Sequence, residues 1–143
     1  MADKPAQLIE LMIENQLGEI SRVIARFDAF AEEHGIPDRV AWKIDMAFDE
    51  LLNNIISYAY GDNDKHVIDV KIELYTDKLL VTIADDGIPF NPFSIAAPDT
   101  SLSLEEREIG GLGIHLVRNL VDATAYLRSL GKNIVTLEAY LQQ

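Results

Sequence analysis

The sequence contains no cysteine. Disulfide staples and thiolate chemistry are therefore excluded, and a zinc site would lack its usual soft ligands. Histidine is scarce: His34, His66 and His115 lie far apart and show no metal-ligand spacing. Basic side chains number 12 against 24 acidic ones, for a formal charge of -12. Such a surface repels phosphate backbones and disfavours direct nucleic-acid binding. It suits a basic protein partner, or solubility alone. No apolar run reaches the ~20 residues that cross a bilayer, so no membrane span is expected. The opening residues carry no basic segment followed by an apolar stretch. No signal peptide is expected, and the cytoplasm is the default compartment.

What is present is enough for a core. At 143 residues and 48% hydrophobic, the chain is expected to form one domain over 1–143. Residues 7–14 read as an opening strand with an imperfect apolar pattern. Residues 18–33 carry helical periodicity through Ile20, Val23, Ile24, Phe27, Phe30 and Ala31, closed by Gly35. Pro37 suits the start of a second helix over 38–59. In 67–75, Ile68, Val70, Ile72 and Leu74 alternate with polar residues, and 79–84 should pair with them as a hairpin. Residues 87–107 show no sustained period and include Pro89, Pro92 and Pro98. A loop of that length in a small domain is more often functional than structural. A helix over 113–121 and a hairpin of 123–129 with 133–141 complete the chain. The expectation is an α+β two-layer sandwich, with helices on one face of a mixed, largely antiparallel sheet.

Three short segments carry candidate chemistry. On the second helix, Glu50 and Asn54 are four residues apart and project together. A carboxylate beside a carboxamide offers hard oxygen ligands of the kind magnesium accepts, and Glu50 alternatively suits a general base. Alone, the pair also fits the polar flank of an amphipathic helix. On that helix Ile44, Phe48, Leu51, Ile55 and Tyr58 form one apolar arc, with Met46, Ile56 and Tyr60 nearly opposite. The helix is therefore expected to be covered on more than one side.

The second segment is Asp85-Asp86-Gly87, at the end of an apolar strand. A carboxylate there can accept from an exocyclic amine, and Gly87 lets the backbone approach a flat ring. Asp-Gly is equally a common turn pair, with Asp86 merely solvated. The third is Gly110-Gly111-Leu112-Gly113 before a helix, where free backbone amides and the helix dipole can cradle phosphate. The P-loop and Rossmann patterns are both absent. Alone, the glycines fit a hinge as well. Together the three segments supply the parts of an ATP site.

In this order and spacing they resemble the GHKL (Bergerat-fold) ATPase and kinase superfamily, the fold shared by gyrase B, histidine kinases and MutL. Glu50 and Asn54 match its N box, Asp85 and Gly87 the Asp-x-Gly of its G1 box, and Gly111 and Gly113 the Gly-x-Gly of its G2 box. The stretches 85–92 and 110–118 are similar to those of the small anti-sigma-factor serine kinases. That resemblance implies ATP and Mg2+ as cofactors, with Glu50 as the base for a substrate serine and Asn54 as the metal ligand. It implies Asp85 as the reader of adenine. Gly87, Gly110, Gly111, Leu112 and Gly113 would border the nucleotide, with 92–109 as a lid. It also implies two partners: a sigma factor, and a STAS-domain anti-anti-sigma protein phosphorylated on serine. Arg22, on the first helix, corresponds to partner-contact positions of the group.

The chain departs from the superfamily at two places. Pro89 replaces the second glycine of Asp-x-Gly-x-Gly and should stiffen the lid entry. Asn133 follows Gly131-Lys132 where many members have Gly-Thr, and its amide can support adenine. Arg107, ahead of Arg118, is the expected cation for the γ-phosphate. The expected function is an ATP-dependent protein-serine/threonine kinase acting as an anti-sigma factor. The alternative is a non-catalytic ATP-binding module that sequesters a partner. A homodimer through the opening strand and first helix is compatible with their apolar residues.

Overall fold

The computed structural model of the protein describes residues 4–94 and 111–142. Strict alternation builds its centre. Three strands, β2 (Val67–Leu74), β3 (Lys78–Asp85) and β5 (Lys132–Tyr140), bury every second side chain. Ile68, Val70, Ile72, Leu79, Val81, Ile83, Val135, Leu137 and Ala139 all turn to one face. Period-two patterning of this kind is what a sheet covered on one side requires. The flanking strands β1 (Gln7–Glu14) and β4 (Ala123–Ser129) are less buried. The sheet order is β1-β2-β3-β5-β4, and each pairing is antiparallel. The mixed or antiparallel sheet expected from the sequence is thus antiparallel throughout the described residues.

The helices α1 (Gly18–Glu33), α2 (Asp38–Tyr58) and α3 (Gly111–Leu120) cover the apolar face. Phe27 on α1 meets Phe48 on α2 edge to face, with ring centroids 5.7 Å apart. Gly35 ends α1 at φ 69°. There the Ile36 N–H returns to the Ala31 carbonyl at 2.9 Å, the closure that a left-handed residue permits. Glu19 in the first turn of α1 accepts from the Glu14 N–H at 3.2 Å, tying helix to strand.

One expectation needs correction. α2 is covered along a single stripe, Val40, Ile44, Ala47, Phe48, Leu51 and Leu52. Met46 and Tyr58 are exposed, Ile56 is half-buried, and Tyr60 lies beyond the helix end. The reason is the layer order: the sheet lies beneath α2, α1 and α3 flank it with Ile55 and Ile56 packed at the margins of the core, and no described element lies over its outermost face.

The β4–β5 hairpin turns through Leu130 and Gly131, both left-handed at φ 52° and 78°. No helix among the described residues is long and apolar enough to cross a membrane.

Candidate functional site

Glu50 and Asn54 sit on the half-buried flank of α2. Asn54 Nδ2 donates to Glu50 Oε1 at 3.2 Å, leaving the Asn54 carbonyl oxygen without a partner among the described residues. The first turn of α3 closes over this pair. A Cβ added at Gly113 would collide with the Glu50 carboxylate. With Glu50 in this rotamer, glycine lets the helix start, with its free amides, lie against that carboxylate, and a larger residue would turn the carboxylate aside.

The second cluster lies at the end of β3. Asp85 is 3% exposed. Its Oδ1 accepts from the Gly87 N–H at 2.9 Å and from Asn133 Nδ2 at 3.0 Å. Its Oδ2 has no partner among the described residues. Burial pushes the Asp85 carboxyl above its ordinary value, while the Asn133 and Gly87 bonds pull it down. Gly87 is pinned as well. A Cβ there would lie 2.6 Å from both the Cβ and the carbonyl oxygen of Ala59, just past α2. The Ile88 N–H donates to that same carbonyl at 2.9 Å.

Asn133 is buried and fully engaged. Its amide donates to Asp85 and, at 2.8 Å, to the Ile88 carbonyl. Its Oδ1 accepts from the Tyr126 hydroxyl at 2.6 Å and the Phe90 N–H at 3.1 Å. Both donors and both lone pairs are thus used within the protein. Arg128, beside Asn133 across the hairpin, donates to the Gly87 carbonyl at 2.8 Å.

Helix α2 joins the two clusters. Glu50 and the Ala59 contact of Gly87 are separated by roughly 13 Å along the chain's helical rise. One end holds an acid-amide pair under a helix start. The other holds a buried aspartate with one free oxygen.

Residues 13–139 match the family model described as the histidine kinase-like ATPase domain. The chain belongs to that family. ATP use follows from that membership. Among curated relatives, it is 29% identical to the serine/threonine-protein kinase BtrW of Bordetella bronchiseptica, over 71% of this chain and 72% of the relative. It is 26% identical to the serine-protein kinase RsbW of Bacillus mycoides, over 76% of this chain and 73% of the relative. The RsbW of Bacillus cereus is 29% identical over the same shares.

Within this kinase-like ATPase domain, the fold brings Glu50, Asn54 and Gly113 together, and separately Asp85, Gly87 and Asn133. Gly111 and Leu112 open α3. Gly110, Arg107 and positions 95–109 of the expected lid lie outside the described residues. Arg118 donates to the Phe93 carbonyl at 3.1 Å, which bonds α3 to the short 3-10 turn Pro92–Ser94. Arg22 donates to the Met12 carbonyl at 2.9 Å and pairs with Glu19 at 3.0 Å.

Sequence reasoning missed Tyr126 and Arg128. Their alternation in β4 and the turn at Leu130-Gly131 carried a signal, because the hairpin register sets Arg128 opposite Asn133. It also missed the pairing of Asp86 with His66.

Proposed function

We propose that the chain is a protein-serine/threonine kinase that transfers the γ-phosphoryl group of ATP to a serine of a STAS-domain antagonist. It acts in the cytoplasm as an anti-sigma factor, and residues 1–143 work as one ATPase domain. The observation that carries the reading is the contact of Gly113 with Glu50. It sets a carboxylate and a helix start against each other where a terminal phosphate would lie.

Each residue then has a task. Asp85 offers its free Oδ2 to the exocyclic amine of adenine. Gly87 keeps the turn low enough for the ring to approach. Asn133, with no capacity left over, acts by holding Asp85 rather than by touching the base. Gly110, Gly111, Leu112 and Gly113 line the phosphates. Asn54 contributes its unpaired carbonyl oxygen, a hard donor that fits magnesium. Bound there, magnesium would neutralise phosphate charge, the main requirement of a loose phosphoryl-transfer transition state. Glu50 takes the proton of the attacking serine hydroxyl as its oxygen bonds to phosphorus, and the bond to the β,γ-bridging oxygen breaks, releasing ADP. The family membership and the kinase names of the relatives support this reading.

The test is paired. Titration calorimetry with Mg-ATP measures binding, and radiolabelled ATP with the cognate STAS protein measures transfer. Glu50→Gln is expected to bind ATP normally and to lose transfer by about a hundredfold or more. Undiminished transfer overturns the role of Glu50. Binding without transfer in the unaltered protein favours a regulatory module that only sequesters its partner.

A further inference from the structure

His66 belongs to neither cluster, yet it touches the turn that carries Asp85. Its Nε2 donates to Asp62 Oδ1 at 2.7 Å and its Nδ1 to Asp86 Oδ1 at 3.1 Å. Tyr60 stacks on the ring, with centroids 4.1 Å apart and planes within 13°. The backbone is fixed too: the His66 N–H donates to Asn15 Oδ1 at 2.9 Å, and the Asn15 N–H donates back to the His66 carbonyl at 3.2 Å. An imidazole with a carboxylate on each nitrogen donates from both, which is the charged form.

We infer that His66 is a positioning residue for the nucleotide: as an imidazolium it ties the loop after α2 to the Asp85–Gly87 turn and neutralises Asp86, keeping Asp85 ready to accept from adenine. This rests on the ATP reading above.

Burial raises the Asp85 carboxyl, the Asn133 and Gly87 bonds lower it, the Asp86 charge raises it again, and the Arg128 charge offsets part of that rise. An uncompensated Asp86 therefore favours a protonated Asp85, which is a poorer acceptor for an amine. The groups facing His66 are Asp62, Asp86 and the Tyr60 ring. Asp64 donates its N–H to Asp62 Oδ1 at 3.0 Å, and the neighbouring Lys65 pairs with Glu14 at 3.3 Å. The Asp62 hydrogen bond, opposed by burial and aided by the charges of Asp62 and Asp86, lifts His66 above its ordinary range. The clamp is complete below that range and is lost as pH rises through the raised value.

The experiment measures Mg-ATP affinity by calorimetry from about pH 6.5 to about pH 9, spanning the histidine range, in the unaltered protein and in His66→Gln. The ratio of the two affinities removes the ionisation of the phosphates themselves. The unaltered protein is expected to bind about three- to fivefold more tightly at the low end, with the ratio falling to one at the high end. Asp62→Asn keeps the ring and its Asp86 partner, and is expected to move the same profile to lower pH. Nitrogen-15 NMR of the His66 ring follows its titration directly. A pH-independent ratio, or a His66 that titrates at or below its ordinary range, overturns the inference while ATP binding stands. No binding in either protein at any pH overturns the ATP reading, and this inference with it.

Discussion

Asp85 and Asn133 face each other in register across β3 and β5, and the Asn133 amide donates to Asp85 Oδ1 at 3.0 Å. Four groups depend on this one amide: Asp85, the Ile88 carbonyl, the Tyr126 hydroxyl and the Phe90 N–H. Asn133→Ala strands Asp85 in a buried setting and the other three in a partly buried one. The expected loss is roughly 2–4 kcal/mol of stability, measured by urea unfolding. Weaker ATP binding should accompany it, because Asp85 loses its brace.

Gly113→Ala probes the opposite end. The added methyl has no room beside the Glu50 carboxylate, so the first turn of α3 must move away or Glu50 must rotate. Transfer activity should fall by roughly tenfold to a hundredfold, the cost of displacing reacting groups by about an ångström. Unfolding stability should change by less than about 1 kcal/mol, because the clash lies at a helix start rather than in the core. A variant with full activity would count against the Gly113 contact as part of the site.

Asp45 on α2 and Asp28 on α1 bring two carboxyls together at the helix seam. Burial, the hydrogen bond to Asp28 and its charge raise Asp45 from 3.8 to about 8. Its Oδ1 is buried without a donor among the described residues. The folded state thus holds a proton that the unfolded chain releases, and stability falls as pH rises from about 4 to about 8. Asp45→Asn removes that titration. Because Asp45 is only half-buried, screening limits the expected gain near pH 8 to about 1 kcal/mol. Thermal melts across this window should show a flatter profile in the variant.

Leu130 is fully exposed and holds a left-handed φ of 52° at the β4–β5 turn. A leucine there carries backbone strain and buries nothing in return. Leu130→Asn restores the Asn-Gly pair that two-residue hairpins prefer. It should stabilise the protein by about 1 kcal/mol, read as a higher melting temperature with ATP binding unchanged.

Much of this fold was legible because its signals are local. The alternation from Ile68 to Leu74 and from Leu79 to Ile83 reports a sheet buried on one face. Gly35 marks the end of α1 through its backbone angle alone. On α2 the reading failed at Met46, expected to be covered on the far face, and at Tyr58, expected in the main arc, since both are exposed, whereas Ile56 does pack against the core. At the candidate site, the glutamate, aspartate and glycine segments were visible as residue types. What they touch was not. The saturation of Asn133 depends on Tyr126, Phe90 and Ile88, which only the tertiary fold assembles. His66 was passed over because its partners Asp62 and Asp86 flank it at spacings of no recognisable motif. Their meeting depends on how the loop after α2 folds against the end of β3.

After Asp85 the chain leaves the sheet, rejoins it at the edge strand β4, and turns back so that β5 lies beside β3 with Asn133 against Asp85. The departure point of that excursion is thus bolted to the strand that follows its return. A fluorescent reporter on the exposed side chain of Ile88, next to the Asp85–Gly87 turn, would sit beside that bolt and make this domain a sensor scaffold for its own ligand.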